Sequence, residues 1–454
     1  MRPHSPLNAG AEQGRPRRVL IVTSGYPPTM MADVHRARLL AWHLPACGWE
    51  VDVLCPDETY QLAVAIDTDG DAFCCPDARV HRVAQWQEPV FRRAGIRSIG
   101  WRALVPLDRA ARRLVQTRRF DIVYFSTTQF SLFLLGPRWK KQYGLPYVLD
   151  FHDPCYRDDV GYHAGARPGL KRMASRRLAK VIESVATRNA AGIIAVSPHY
   201  LDALRARYGA DGPSWLAENR SAVIPFAGSA DDLRLAGAAL TASGPAEHGK
   251  RRRIVYVGAG GPIMERAFAV VCAGLAELKR RRSGVLAGIS IELYGTMTRW
   301  RTGDRRHLAD VARQYGVMEY VQEEPQRVSY RRSLELLAGS DGALILGVDE
   351  AGYMPSKLAT YALSGKPLLA ALHSGSPARE LLRLDPASMS AVWFGHGSMN
   401  ASDTATVLEG FLQQVNDAAH SDRSRMFGEY LPPAMARRHA ELFDACLAAG
   451  AEVE

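Results

Sequence analysis

The stretch from Pro146 to Asp159, PYVLDFHDPCYRDD, carries an apolar run into a histidine set among carboxylates. His152 lies between Asp150 and Asp153, with Asp158 and Asp159 a few residues on. An imidazole at a cleft can accept a hydrogen bond from a hydroxyl or fix a substrate, and Asp150 or Asp153 would orient its ring. The same carboxylates can equally satisfy a structural histidine, so the spacing leaves both roles open.

Three further stretches suit an anion. GAGGP at Gly258 to Pro262 follows an apolar run, and its glycines, Gly258 and Gly260 among them, let a phosphate approach the backbone. Arg266 follows, either to offset phosphate charge or as an ordinary exposed helix arginine. In YMPSKLATYALSGKPLLA, Tyr353 to Ala370, Pro355 suits a helix start and Ser356 can cap amides. Lys357 falls in the first turn, where a cation opposes the helix dipole unless an anion is bound. In VLIVTSGYPP, Val19 to Pro28, Gly25 permits close backbone approach, and the helix beginning near Ala32 would aim its amides at an anion. An ordinary strand-to-helix turn explains that stretch too, and it is not GxGxxG. Asp67 and Asp69 have an Asp-x-Asp spacing, but IDTDGDAF is turn-like, so a surface turn is expected and no metal site.

The elements that would position these residues are short apolar strands alternating with amphipathic helices. Strands are expected at Val19 to Thr23, Val51 to Leu54, Asp121 to Phe125, Tyr147 to Phe151, Gly192 to Val196 and Ala222 to Ile224. The pattern restarts at Ile254 to Val257, Ser290 to Tyr294, Ala343 to Leu346, Pro367 to Ala371 and Ala391 to Phe394. Helices are expected at Val34 to Cys47, closed by Gly48, at Met264 to Arg281 and at Leu358 to Leu363. Continuous apolar strands between helices mean parallel sheets covered on both faces. The expectation is an α/β chain of two doubly wound, Rossmann-like domains facing across a cleft, where ligands meet the carboxyl ends of the strands. Residues 1–17 read as a disordered tail, 18–225 as the first domain and 226–252, rich in Ala, Gly and Ser, as a linker. Residues 253–420 read as the second domain, and 421–454 as helices that cross back to the first.

A chain of 454 residues with 47% hydrophobic content has enough apolar material for two cores. Seven cysteines, odd in number and without zinc-site spacing, suggest free thiols in a reducing cytoplasm. The first residues lack the apolar segment of a signal peptide, and no run is long and apolar enough to span a bilayer. The formal charge of +10 points to anionic partners. Basic segments at Arg97 to Arg119 and Arg167 to Lys180 would suit an anionic membrane face, or be solvated. No nucleic-acid module is evident, so no nucleic-acid partner is expected.

Together these stretches resemble the GT-B glycosyltransferases of family 4, which are retaining and use nucleotide sugars. VLIVTSGYPP with RARLLAWHLPACGWEVDVL, YGLPYVLDFHDP, AAGIIAVSPHYLDALRARYG and AVIPFAG resemble the first domain, in order. IVYVGAGG, SDGALILG and PSKLATYALSGKPLLA resemble the nucleotide-binding domain. The resemblance implies a nucleotide diphosphate sugar on the second domain and a saccharide, lipid-linked or small-molecule acceptor on the first, with no cofactor or metal. It implies that His152, with Asp153 beside it, faces the donor sugar, and that Ser356, Lys357 and Arg266 hold the pyrophosphate. Where the family shows paired glutamates, this chain has Gly352 and Thr360, with Glu350 two residues ahead of the first. Thr360 can make one ribose hydrogen bond where a carboxylate makes two. Met31 and Ala32 stand in place of the family's paired glycines. A nucleotide-sugar epimerase and a non-catalytic relative remain alternatives.

Overall fold

The computed structural model describes residues 15–58, 66–67, 70–86, 98–157, 169–242 and 251–448. Two wholly parallel sheets form the frame. The first joins β1 (Arg17–Thr23), β2 (Trp49–Pro56), β3 (Arg79–Val83), β4 (Ile122–Ser126), β5 (Tyr147–Phe151), β6 (Gly192–Ala195) and β7 (Ser221–Val223) in the order β3-β2-β1-β4-β5-β6-β7. The second joins β8 (Arg252–Val257), β9 (Ile289–Tyr294), β10 (Val321–Glu324), β11 (Gly342–Leu346), β12 (Leu368–His373) and β13 (Met389–Phe394) in the order β10-β9-β8-β11-β12-β13.

In both sheets the order reverses beside the first strand, between β1 and β4 and between β8 and β11, and a doubly wound sheet opens a crevice at that point. The two-domain α/β expectation is borne out. Each strand expected from the sequence is present, β5 with the expected ends. Two were missed, β3 and β10, both at sheet edges, where alternation with arginine, glutamine and glutamate replaces a continuous apolar run.

The helices are α1 (Ala32–His43), α2 (Ile99–Thr117), α3 (Leu135–Tyr143), α4 (Leu170–Arg188), α5 (Pro198–Tyr208), α6 (Ala230–Ala242), α7 (Glu265–Arg280), α8 (His307–Gln314), α9 (Tyr330–Ala338), α10 (Leu358–Leu363), α11 (Ala378–Leu382), α12 (Ala401–Asn416) and α13 (Pro432–Ala448). Leu44–Cys47 tightens α1 into a 3₁₀ turn, which Gly48 ends at φ 81°, its amide donating to Leu44. One face of the first sheet packs under α2, α3, α4 and α5, and the other under α1 and α13. The last helix thus lies on the first sheet, with Phe443 against Trp49 and His439 against Tyr124.

Some boundaries differ from the expectation. β1 starts at Arg17, because Asp121 holds the guanidinium of Arg15 and the amide of Arg18. The stretch read as a linker contains α6. Its alanines are the strongest helix formers, and Ser229 accepts the amide of Asp232 in its first turn. Residues 243–250 lie outside the described residues.

Candidate active site in the cleft between the lobes

The carboxyl ends of both sheets open onto one cleft of about 690 Å³. From the first lobe it is lined by Met30 to Ala32 and by His35, Arg36 and Arg38, in the first two turns of α1. The loop leading there is fixed because the Ser24 hydroxyl donates to Asp33. From the second lobe come Tyr256 to Ala259 at the end of β8, Met297, Thr298 and Trp300, the turn Gln326 to Tyr330, and Pro355 to Lys357 with Thr360 and Tyr361. Among the described lining residues the one carboxylate is Asp67, against four cationic side chains, Arg36, Arg38, Arg327 and Lys357.

Lys357 is the N-cap residue of α10, so its side chain leaves the helix at the cleft wall. Its ammonium donates to the Val257 carbonyl at 2.5 Å. It passes over Gly258, where a Cβ would stand 2.8 Å from the ammonium nitrogen, so the glycine makes room for the lysine. The side chain is exposed toward the cleft, and the protein packed around its ammonium, followed by Arg327, pulls its pKa down to about 8. Arg327 reaches across the cleft to donate to Met30 O at 2.6 Å, and burial lowers its pKa while Asp67 opposes the shift.

His35 lies against Tyr330, centroids 4.2 Å apart. Burial first, then Arg38, Lys357 and Arg327, hold its pKa well below the usual value, so the imidazole is neutral near pH 7. Its Nδ1 faces Arg38 Nη2 at 3.5 Å. A guanidinium can only donate, so Nδ1 accepts and Nε2 carries the proton. Lys357, Arg327 and the His35 Nε2–H therefore form one group of donors lining the cleft, in which both cations act on His35 and Arg327 acts on Lys357.

His152 does not border this space. It stands one side chain behind the wall, edge-on to Phe226 at 5.1 Å, and Phe226 lines the cleft. Its Nε2 lies 2.8 Å from Asp150 Oδ2, and Nδ1 has no partner among the described residues. Asp150 Oδ2 also accepts the Tyr124 hydroxyl at 2.5 Å and sits 3.3 Å from Arg36 Nη1. Burial alone would raise the Asp150 carboxyl, but Arg36 and His152 overcome it and hold it well below the carboxylate range. Arg36 then covers Phe226 at 4.8 Å and donates to Ile224 O at 2.7 Å. From α13, His439 closes the cluster 3.2 Å from Tyr124 Oη, and burial, followed by Arg36, lowers its pKa to about 3. So the orienting carboxylate is Asp150. Asp153 is half-buried outside the cleft, its pKa raised by burial and, more weakly, by Asp33, while His152 and Arg157 oppose the rise.

Of the other residues expected at the site, Ser356 and Thr360 line the cleft and four do not. Gly25 is buried behind it. Gly260 and Gly261 both donate their amides to Thr296 O, and Gly258 donates to Tyr294 O, so these amides are already engaged. Arg266 points away, its guanidinium 2.5 Å from Asp349 and over Phe394. Glu350 joins Arg157 of the first lobe at 2.8 Å, so it ties the lobes together. Asp67 is buried, not a surface turn, and accepts the amide of Tyr330 across the cleft. Asp69, Asp158 and Asp159 lie outside the described residues. Among those described, no three His, Cys, Asp or Glu side chains are grouped to hold a metal ion.

Sequence reasoning passed over His35, Arg36, Arg38 and Arg327. A signal for the first three was present in HRAR, which interrupts the apolar pattern of the helix after β1, and the structure buries Arg36 and Arg38 to 1% exposure each. Arg327, in a turn after an edge strand, had none.

Residues 34–216 match the family described as the glycosyl transferase 4-like domain. No curated protein matches the chain by sequence. Among solved structures, sucrose-phosphate synthase from Thermosynechococcus elongatus aligns over 95% of this chain and 100% of its own, at 14% identity and TM-score 0.60. A UDP-forming α,α-trehalose-phosphate synthase from Burkholderia vietnamiensis aligns over 97% and 100%, at 12% identity and TM-score 0.59. HepE of Anabaena, solved in complex with UDP, aligns over 96% and 99%, at 14% identity and TM-score 0.51. At such identities the likeness establishes the fold, GT-B.

Proposed function

Starting from a GT-B chain whose residues 34–216 match the glycosyl transferase 4-like domain, we propose a glycosyltransferase that takes its sugar from a nucleoside diphosphate sugar held in the interlobe cleft. The observation that carries this is the cluster of Lys357, Arg327 and the neutral His35 lining the cleft, with His35 on the helix after β1 and Lys357 at the end of the connection after β11, strands that border the switch points of the two sheets. Besides burial, Arg327 lowers the pKa of Lys357, and Arg38, Lys357 and Arg327 lower that of His35, so the group is a site of positive potential that a diphosphate would relieve.

When the bond between the sugar and its phosphate breaks, negative charge grows on the departing phosphate. Donors already fixed around it stabilise the charge without reorganising, so the proposal needs no metal. Tyr256, Met264, Met297 and Trp300 give the cleft apolar walls for a base and sugar ring. Thr360 would offer one hydrogen bond to the ribose. His152 is assigned a positioning role: it braces Asp150, which holds Arg36 at the wall. Transfer to a hydroxyl acceptor with retained configuration is part of the proposal, supported by the likeness to family 4. The acceptor is a saccharide, a lipid-linked molecule or a small molecule. HepE was solved in complex with UDP, which supports UDP as the first nucleotide to try.

A thermal-shift panel of nucleoside diphosphates and their sugars tests the reading, since a ligand that binds only the folded state raises the melting temperature. UDP or GDP should raise it more than the matching nucleoside. No shift with any diphosphate would remove the donor site. One observation favours a non-catalytic relative: Glu350 is held by Arg157, and Gly352 is packed against His199. Product analysis with donor and candidate acceptors separates that reading. Conversion of the donor with no acceptor present would point to an epimerase.

A further inference from the structure

We propose that the outer face of α4 docks this protein on an anionic lipid bilayer. Of eleven large apolar side chains exposed among the described residues, four lie on this one helix: Met173, Leu178, Val181 and Val185. Leu178, Val181 and Val185 recur at i, i+3 and i+7 and so form one stripe along the surface. The helix does not need that stripe for its own packing. Its opposite side is already buried, with Ile182 covered and Ala186 in the core under the first sheet.

Exposed cations flank the stripe. Lys171, Arg177 and Arg188 are exposed, and none has an ion pair among the described residues. The one acidic residue of the helix, Glu183, is buried against Arg207 and offers the outer face no negative charge. The helices on the same side of the sheet add Arg109, Arg112 and Arg113 from α2 and Lys141 from α3, all exposed. Of the two basic segments singled out in the sequence, α2 turns its apolar side, Ala103, Leu107 and Ala111, fully inward. Only α4 combines basic flanks with exposed apolar residues. Arg97 and Arg167 lie outside the described residues.

The charge selects the occupant. Pairing this stripe with that of a second copy would bring Lys171, Arg177 and Arg188 against the same cations, a like-charge contact. An anionic headgroup layer instead neutralises them while the acyl boundary covers the apolar side chains. A helix that follows a parallel strand runs back along it, so α4 starts on the cleft side of the lobe and would hold the cleft beside the lipid surface. The docking stands independently of the transferase reading, because vesicle binding is measured without substrate.

The test is co-sedimentation of the full chain with vesicles of phosphatidylcholine alone and of phosphatidylcholine with about one-third phosphatidylglycerol. The protein should sediment with the anionic vesicles and not the neutral ones. The double variant L178E/V181E should partition at least about ten-fold less, and R177E about five-fold less. Both keep good helix formers at exposed sites, so their melting temperatures should match the parent. Equal partitioning of parent and double variant would overturn the proposal, as would absence of the parent from the anionic pellet. A parent dimer in light scattering that L178E/V181E dissociates would make the stripe a subunit seam instead. A melting temperature several degrees lower in the variant would show that the protein itself covers the stripe.

Discussion

Lys357 of the β11–α10 connection places its ammonium 2.5 Å from the carbonyl oxygen of Val257, the last residue of β8. The end of β8 and the start of α10 are thereby tied by a charged group that lines the cleft and has no other hydrogen-bond partner among the described residues. Lys357→Ala removes that charge. A charge-assisted hydrogen bond contributes about 1.5–3 kcal/mol, so a nucleoside diphosphate should bind roughly 10- to 100-fold more weakly. Nucleoside binding should change little. Titration calorimetry with UDP and uridine separates the two, and equal losses would remove the phosphate role.

The pH dependence follows from the same group. A diphosphate favours the charged lysine, whose pKa in the free protein is lowered to about 8. Affinity should be flat just below that pH and fall above it, approaching about ten-fold per pH unit. The Lys357→Ala protein should lack this fall. Stability moves the other way. Between about 8 and the ordinary 10.5 the unfolded chain binds the extra proton, so this group makes the free protein more stable as pH rises. Melting curves across that window should show a steeper rise for the parent than for Lys357→Met.

Asp150 carries the opposite sign. Its carboxyl is held below the ordinary 3.8, so its stabilisation is present above that value and is lost on acidification. Asp150→Asn leaves the buried Arg36 without a counter-charge, at a cost of about 3–5 kcal/mol. Urea denaturation should record that loss near neutral pH, and the variant's stability should vary less with pH on the acid side. A loss under about 1 kcal/mol would mean that Arg36 finds water and is not sealed by Phe226.

His152→Ala separates bracing from donor binding. The imidazole lies behind Phe226, so nucleoside diphosphate affinity should stay within about two-fold while turnover falls by about ten-fold or more as Arg36 loses its fixed position. Binding and turnover falling together would place His152 at the donor after all. Neither changing would leave it a purely structural histidine.

The fold was legible because buried parallel strands are continuous apolar runs. Tyr147–Phe151 and Gly192–Ala195 can be read directly, while the edge strands Arg79–Val83 and Val321–Glu324 hide among polar residues. The site was legible where a residue's place depends on its own element, as with Lys357 at a helix start. It was not where an ion pair decides. Nothing local to Glu350 or Arg266 announces Arg157 or Asp349, and each pairing turns the side chain out of the cleft. The glycines of GAGGP were read as open to phosphate, but local spacing does not reveal that Thr296 and Tyr294 take their amides.

Glu350 gives the sharpest separation between the sequence resemblance and the observed geometry. By resemblance it stands near the place of a ribose-gripping carboxylate, yet in the structure it pairs with Arg157 across the lobes. Glu350→Gln keeps the shape and removes the charge. If the residue is a tie between lobes, UDP affinity should stay within about two-fold, and stability should fall by no more than about 1 kcal/mol for a half-buried pair. The variant should also lose the coupling measured in a double-mutant cycle with Arg157→Gln. If instead the carboxylate turns inward to hold the ribose when donor binds, affinity should drop by about ten-fold or more, because a charged acceptor of two hydroxyl hydrogen bonds is lost. That drop, with no coupling to Arg157, would return Glu350 to the donor site.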